Sequence, residues 1–179
     1  MKNYLTLTLF FSTYLYGGEI SISISEDLVN EYISIIGNHE IFGGKKEDQA
    51  TWKVENPKAK FENGKALFMA TTVYNKGKTN IKKDIKKIID VEYDSNKNML
   101  KLIILDPIVK MERKGTVLGK IDLSTIYQTG LIFPGPKPNF NSFKLKTNDG
   151  KVKINIKTHE TYVYFEKDVI RLALDLSYE

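Results

Sequence analysis

"ISISISEDLVNEYISIIG", residues 20 to 37, changes its hydrophobic period midway. Ile20, Ile22 and Ile24 alternate with serines, the two-residue period of a strand with one buried face. From Leu28 the apolar spacing becomes helical, through Val29, Tyr32, Ile33, Ile35 and Ile36, and Gly37 closes the run. Ser25 is placed to cap that helix, and Glu26 and Asp27 put negative charge in its first turn, where the helix dipole favours it. Gly37 suits the left-handed residue that stops a helix. The stripe is broad, so the helix is expected to lie against something large.

Almost everything downstream reads as strand. "TWKVENPKAKF" (51–61) alternates through Trp52 and Val54 until Pro57, which implies a sheet edge or a bulge. Asn63-Gly64 is a hairpin signal, and "KALFMATTVY" (65–74) returns as a strand apolar on both faces, which a strand buried on both faces requires. "DIKKIIDVEYDSNKNMLKLIILDPIVKM" (84–111) reads as a second long hairpin turning at Ser95 to Asn98. Its start stays open, since Ile81, Ile85, Ile88 and Ile89 also fit a helical period. "ENPKAKF" and "LDPIVKM" share a proline placement that suggests a curving sheet.

"GKIDLSTIYQTG" (119–130) has the make-up of a short helix, with Asp122 or Ser124 as its cap and Gly130 as its stop. "LIFPGPKPNFNSF" (131–143) carries three prolines and a glycine, and is expected to be an irregular loop presenting Phe133, Phe140 and Phe143. Two hairpins finish the chain, one through Asn148 to Gly150 and one turning near Glu166 to Asp168. The expected fold is therefore α+β. One long N-terminal amphipathic helix packs in a strongly curved antiparallel sheet of long hairpins, with room for one further short helix.

The 179 residues suit one domain. Residues 1–18 have Lys2, an apolar run from Leu5 and small residues at Gly17 and Gly18, the layout of a secretory signal peptide; an uncleaved anchor is the competing reading. The expectation is a cleaved leader and a single domain over 19–179, periplasmic or secreted. No cysteine is present, so there is neither a disulfide nor a lipidated N-terminal cysteine. The net charge of +5 includes the clusters at 44–46 and 82–87, but interspersed acids read as ordinary solvated faces.

Motifs for chemistry are missing. His39 and His159 have no metal-ligand spacing, and "DSNKN" lacks both the glycine and the final glutamate of a calcium loop. Nucleophile-elbow, phosphate-loop and dinucleotide patterns are missing too. The expectation is a non-enzyme without cofactor or metal, with no nucleic-acid partner.

The order "SISISEDLVNEYISIIG", "WKVENPKAKFENGKALFMATTVY", "DVEYDSNKNMLKLIILDPIVKME" resembles the tubular lipid-binding (TULIP) superfamily. It is most similar to the small bacterial periplasmic YceB-like lipoproteins, of unknown function. The likeness covers roughly residues 20 to 111, and Val91, Tyr93, Asp94, Leu100 and Leu102 fit their segment leading into a long strand. The chain departs from them in lacking the lipidated cysteine and in carrying the proline-rich loop in place of a longer helix. The resemblance implies binding of a lipid or other long apolar ligand in an elongated interior. The helix stripe Leu28, Tyr32, Ile35 and Ile36, with Trp52, Phe68, Leu102, Ile104, Leu172 and Leu174, would line it, and Phe133, Phe140 and Phe143 would form a lid, a partner loop or a transient membrane contact. The alternative is a protein-interaction module with a fully packed core that recruits an unspecified protein partner through loop 131–143 or a sheet edge.

Overall fold

The computed structural model describes residues 20–43, 49–127, 131–136, 141–148 and 150–179. The elements run β1 (Ile20–Ser25), α1 (Glu26–Ile36), β2 (His39–Gly43), β3 (Ala50–Glu62), β4 (Lys65–Lys76), β5 (Thr79–Asp94), β6 (Met99–Ile104), β7 (Ile108–Arg113), β8 (Thr116–Asp122), α2 (Ser124–Tyr127), β9 (Ile132–Pro134), β10 (Ser142–Thr147), β11 (Gly150–Glu166) and β12 (Val169–Tyr178). The expected leader lies outside the described residues.

The α+β expectation is overturned. Strands make up 73% of the described residues and helices 10%, and among those residues no long N-terminal helix packs into a sheet. Two curled antiparallel sheets, ordered β1-β12-β11-β10 and β2-β3-β4-β5-β6-β9, are accompanied by a two-stranded ribbon, β7-β8. Residues 81–89, ambiguous by period, are strand: Ile81 and Ile85 sit opposite Tyr74 and Ala70 of β4. β4 is buried on both faces, as its composition requires. Pro57 marks a bulge between Glu55 and Lys58, with Asn56 at φ 51, a left-handed value that asparagine tolerates.

The helix is correctly started and stopped. The Ser25 hydroxyl accepts from the Leu28 N–H at 3.2 Å, and Gly37, at φ 67, donates its N–H to the Ile33 carbonyl. It is only 11 residues long, and what it packs against is the exposed flank of β3. β2 pairs with β3 only over Ala50 to Val54, so the outer backbone groups beyond the bulge need other partners. Asn30 supplies two of them. Its Oδ1 accepts from the Ala59 N–H at 2.7 Å and its Nδ2 donates to the Ala59 carbonyl at 3.1 Å. Glu26, one turn earlier, accepts from the Phe61 N–H at 2.6 Å, and Asn38 accepts from the Asn56 N–H. Four helical residues rise about 6 Å and two strand residues about 6.6 Å, so positions 26 and 30 meet positions 61 and 59 in step. The helix replaces a missing strand.

The two sheets meet at the same corner. Gly64 donates to the Phe165 carbonyl, Asp168 to the Phe61 carbonyl, and Glu26 to the Asp168 carbonyl. Lys60 bridges Glu26 at 3.1 Å and Asp168 at 2.9 Å. Its hydrogen bonds to Asp168 and then Glu26 hold the ammonium above its ordinary range, and the Asp168 carboxyl is held below its own by Lys60. A lowered carboxyl stabilises above the unfolded value and loses that stabilisation as pH falls through the folded one; a raised lysine stabilises below the unfolded value and loses it as pH rises through the folded one. The difference in urea midpoint between wild type and Lys60→Met should therefore be flat around neutral pH, shrinking below about pH 4 and above about pH 10. A difference independent of pH would refute a charge contribution at this corner.

One hydrophobic core joins all three sheets, from Ile24, Ile170 and Leu172 through Phe61, Phe68 and Leu102 to Val109 and Met111 of the ribbon. Gly119 lets β8 approach closely, since a Cβ there would stand 3.0 Å from the Trp52 ring. Segment 131–136 is partly regular, contrary to expectation. β9 pairs with β6, Phe133 opposite Leu100, because an edge of β6 is free and Gly135 and Asn98 exchange backbone and side-chain hydrogen bonds.

Candidate interaction surface

The residues nominated as an apolar lining divide into two groups. Trp52, Phe68, Leu102, Ile104, Leu172 and Leu174 are buried strand residues, all but Leu174 in the common core. Trp52 meets Tyr74 edge-on at 5.1 Å, and Phe68 meets Tyr127 at 4.9 Å. Burial of the Tyr127 phenol pushes its pKa up to about 12, so it stays neutral, lying 3.4 Å from the Gly37 carbonyl oxygen.

The helix stripe is corrected. Leu28, Tyr32 and Ile35 are exposed, Ile35 by 77%, and Ile36 is half-buried; the residues turned inward are Val29 and Ile33. At 100° per residue these share a face with Glu26 and Asn30, and the apolar stripe lies opposite. Phe133 is also corrected, from exposed loop residue to 5% exposed core residue, though its ring meets Tyr32 at 5.2 Å. Phe140 lies outside the described residues. Phe143 is half-buried on β10.

Among the described residues no three His, Asp or Glu side chains cluster as a metal site requires. Glu92 and Asp94 share an open groove of about 280 Å³ with Lys97 and Lys101. Asp94 is engaged locally, accepting from the N–H groups of Asn96 and Lys97 in the hairpin turn.

The most distinctive surface is the β10–β11 hairpin, which the sequence reading treated only as a terminal hairpin. β12 pairs with β11 from Val169 up to Tyr178, opposite Glu166 through Ile156, and Glu179 exchanges backbone hydrogen bonds with Asn155. Residues 142–147 and 150–154 lie past that end, and among the described residues β10 pairs only with β11. In this two-stranded stretch Phe143 stands opposite Ile154 and Leu145 opposite Val152. Lys144 stands opposite Lys153, and Lys146 opposite Lys151, in the alternate pairs and so on the other face. Leu145 and Val152 are exposed by 47% and 50%, and all four lysines are exposed. Among the described residues none of the four has a carboxylate partner, whereas Lys157, nearer the sheet, pairs with Glu179. The signal was present in "FKLKTNDGKVKINIK", but periodicity does not reveal that Leu145 and Val152 on one face and the four lysines on the other are all exposed.

The fold and surface together define a mostly-β protein of two curled sheets with a projecting amphipathic hairpin. No family model, curated protein or solved structure matches the chain.

Proposed function

We propose that the protein is an exported, non-catalytic interaction module with a packed core, and that its working surface is the ribbon 142–155. The carrying observation is the pair of lysine-lysine cross-strand contacts backed by exposed aliphatic residues. Like charges directly opposite one another are destabilising, and two strands alone are marginal. An arrangement that is unfavourable in isolation makes sense when a partner covers it. The packing of Trp52, Phe68, Leu102 and Leu172 into one cluster supports this reading over an interior ligand tunnel.

A photo-reactive amino acid placed at Leu145, and separately at Ile35 on the exposed helix stripe, tests the assignment in the cells that make the protein. Cross-links from position 145 to one defined class of molecule, together with a bare polypeptide mass for the purified protein, are the expected result. Cross-links only from position 35, or a stoichiometric apolar molecule retained through purification, would overturn it.

A further inference from the structure

Resting on that reading of the ribbon, we propose that the partner it meets is the surface of an anionic lipid bilayer. Residues 142–155 hold four lysines (144, 146, 151, 153) and one acid, Asp149, so 4 − 1 = +3, against +5 for the whole chain. More than half of the net charge thus lies within this short ribbon. The six cross-strand pairs extend about 20 Å.

Laid flat on a bilayer, this ribbon satisfies both faces at once. The exposed Leu145 and Val152 enter the acyl boundary to the shallow depth of an interfacial amphipathic segment, with the half-buried Phe143 and Ile154 behind them. The four lysines on the upper face sit at the level of the lipid phosphates, their methylene stems lying along the apolar boundary. Tyr178, 52% exposed and opposite Ile156 at the root of the ribbon, is the kind of residue that favours the interface. Other polyanions fit less well. Nucleic acid binding of this type uses aromatic rings among the basic residues, whereas Ser142 and Asn155 accompany the lysines on their face here. An acidic protein facing the lysines would leave the aliphatic face in water.

The test uses the secreted chain with phosphatidylglycerol-containing vesicles, pure phosphatidylcholine vesicles, duplex DNA and polyglutamate. Wild type should sediment with the anionic vesicles in a salt-sensitive manner and not with the neutral ones. Each surface lysine contributes roughly fivefold to partitioning at low salt, so glutamine at positions 144, 146, 151 and 153 together should weaken it on the order of several hundredfold. Leu145→Ser with Val152→Ser should also weaken it, and Leu145→Trp should report a blue-shifted, lipid-quenched indole, with circular dichroism confirming that each variant is folded. Equal binding to both vesicle types, no vesicle binding, or stronger binding to DNA or polyglutamate would overturn the proposal. If vesicles fail while position 145 still cross-links a protein in cells, the membrane assignment falls and the working surface stands. If the ribbon fails both tests, both fall.

Discussion

Phe68→Ala is expected to lower the free energy of unfolding by about 3–5 kcal/mol. The ring is fully buried at the centre of β4, opposite Ala59 on one side and Lys87 on the other, and packs on Tyr127. The lost transfer free energy is joined by the cost of a cavity, because the close-packed residues around the ring, Tyr127 of α2 among them, cannot all collapse into it. In a chain of this size the melting temperature should fall by roughly 10 °C. Urea unfolding followed by circular dichroism measures the change, with the dependence on denaturant unchanged. The size of the effect also discriminates between functional readings. A ring bordering an open tunnel makes fewer contacts, so a loss below about 1.5 kcal/mol would favour a ligand-holding interior over a packed one.

Asn30→Ala should cost about 2–4 kcal/mol although it removes no apolar surface from the core. The substitution leaves both the N–H and the carbonyl of Ala59 without their partner, and Ala59 is 1% exposed, so water reaches them poorly. Asn30→Asp keeps the acceptor for the Ala59 N–H but sets a carboxylate against the carbonyl, and should not restore full stability. Hydrogen exchange at Ala59 is the local readout, and it should accelerate in Asn30→Ala more than exchange at Phe61, whose N–H retains Glu26. A cost within the ±0.5 kcal/mol usual for surface positions would mean that β3 does not depend on the helix to cover its edge.

These two residues also mark how far the sequence was readable. Phe68 was nominated for the interior, and its place follows from a strand apolar on both faces. Asn30 carries no signal in the sequence, because a polar residue within a helical pattern reads as solvent-facing. Counting apolar residues alone selected Leu28, Tyr32 and Ile35 as the inner stripe, and the structure turns that stripe outward. The β10–β11 ribbon is legible in the sequence as alternating lysines and aliphatics, but not as a projection. The prolines of 131–138 suggested an irregular loop, while the free flank of β6 drew three of those residues into a sheet.

What the sequence by itself determined was local. The strand-to-helix switch at Ser25, the stop at Gly37, the bulge at Pro57 and the hairpin turns depend on a few consecutive residues whose backbone preferences and side-chain caps act within one turn. The tertiary structure decided which face of α1 is buried, how short its role is, and that the ribbon extends past β12. Those outcomes depend on unpaired backbone groups created at a distance. β2 ends opposite Val54, so the flank of β3 lacks hydrogen bonds, and only the Glu26–Asn30 face of the helix can supply them. Pairing those backbone groups and burying Val29 and Ile33 act on the same face and together outweigh the exposure of Leu28 and Tyr32, so hydrogen bonding joins apolar burial in setting the orientation of the helix.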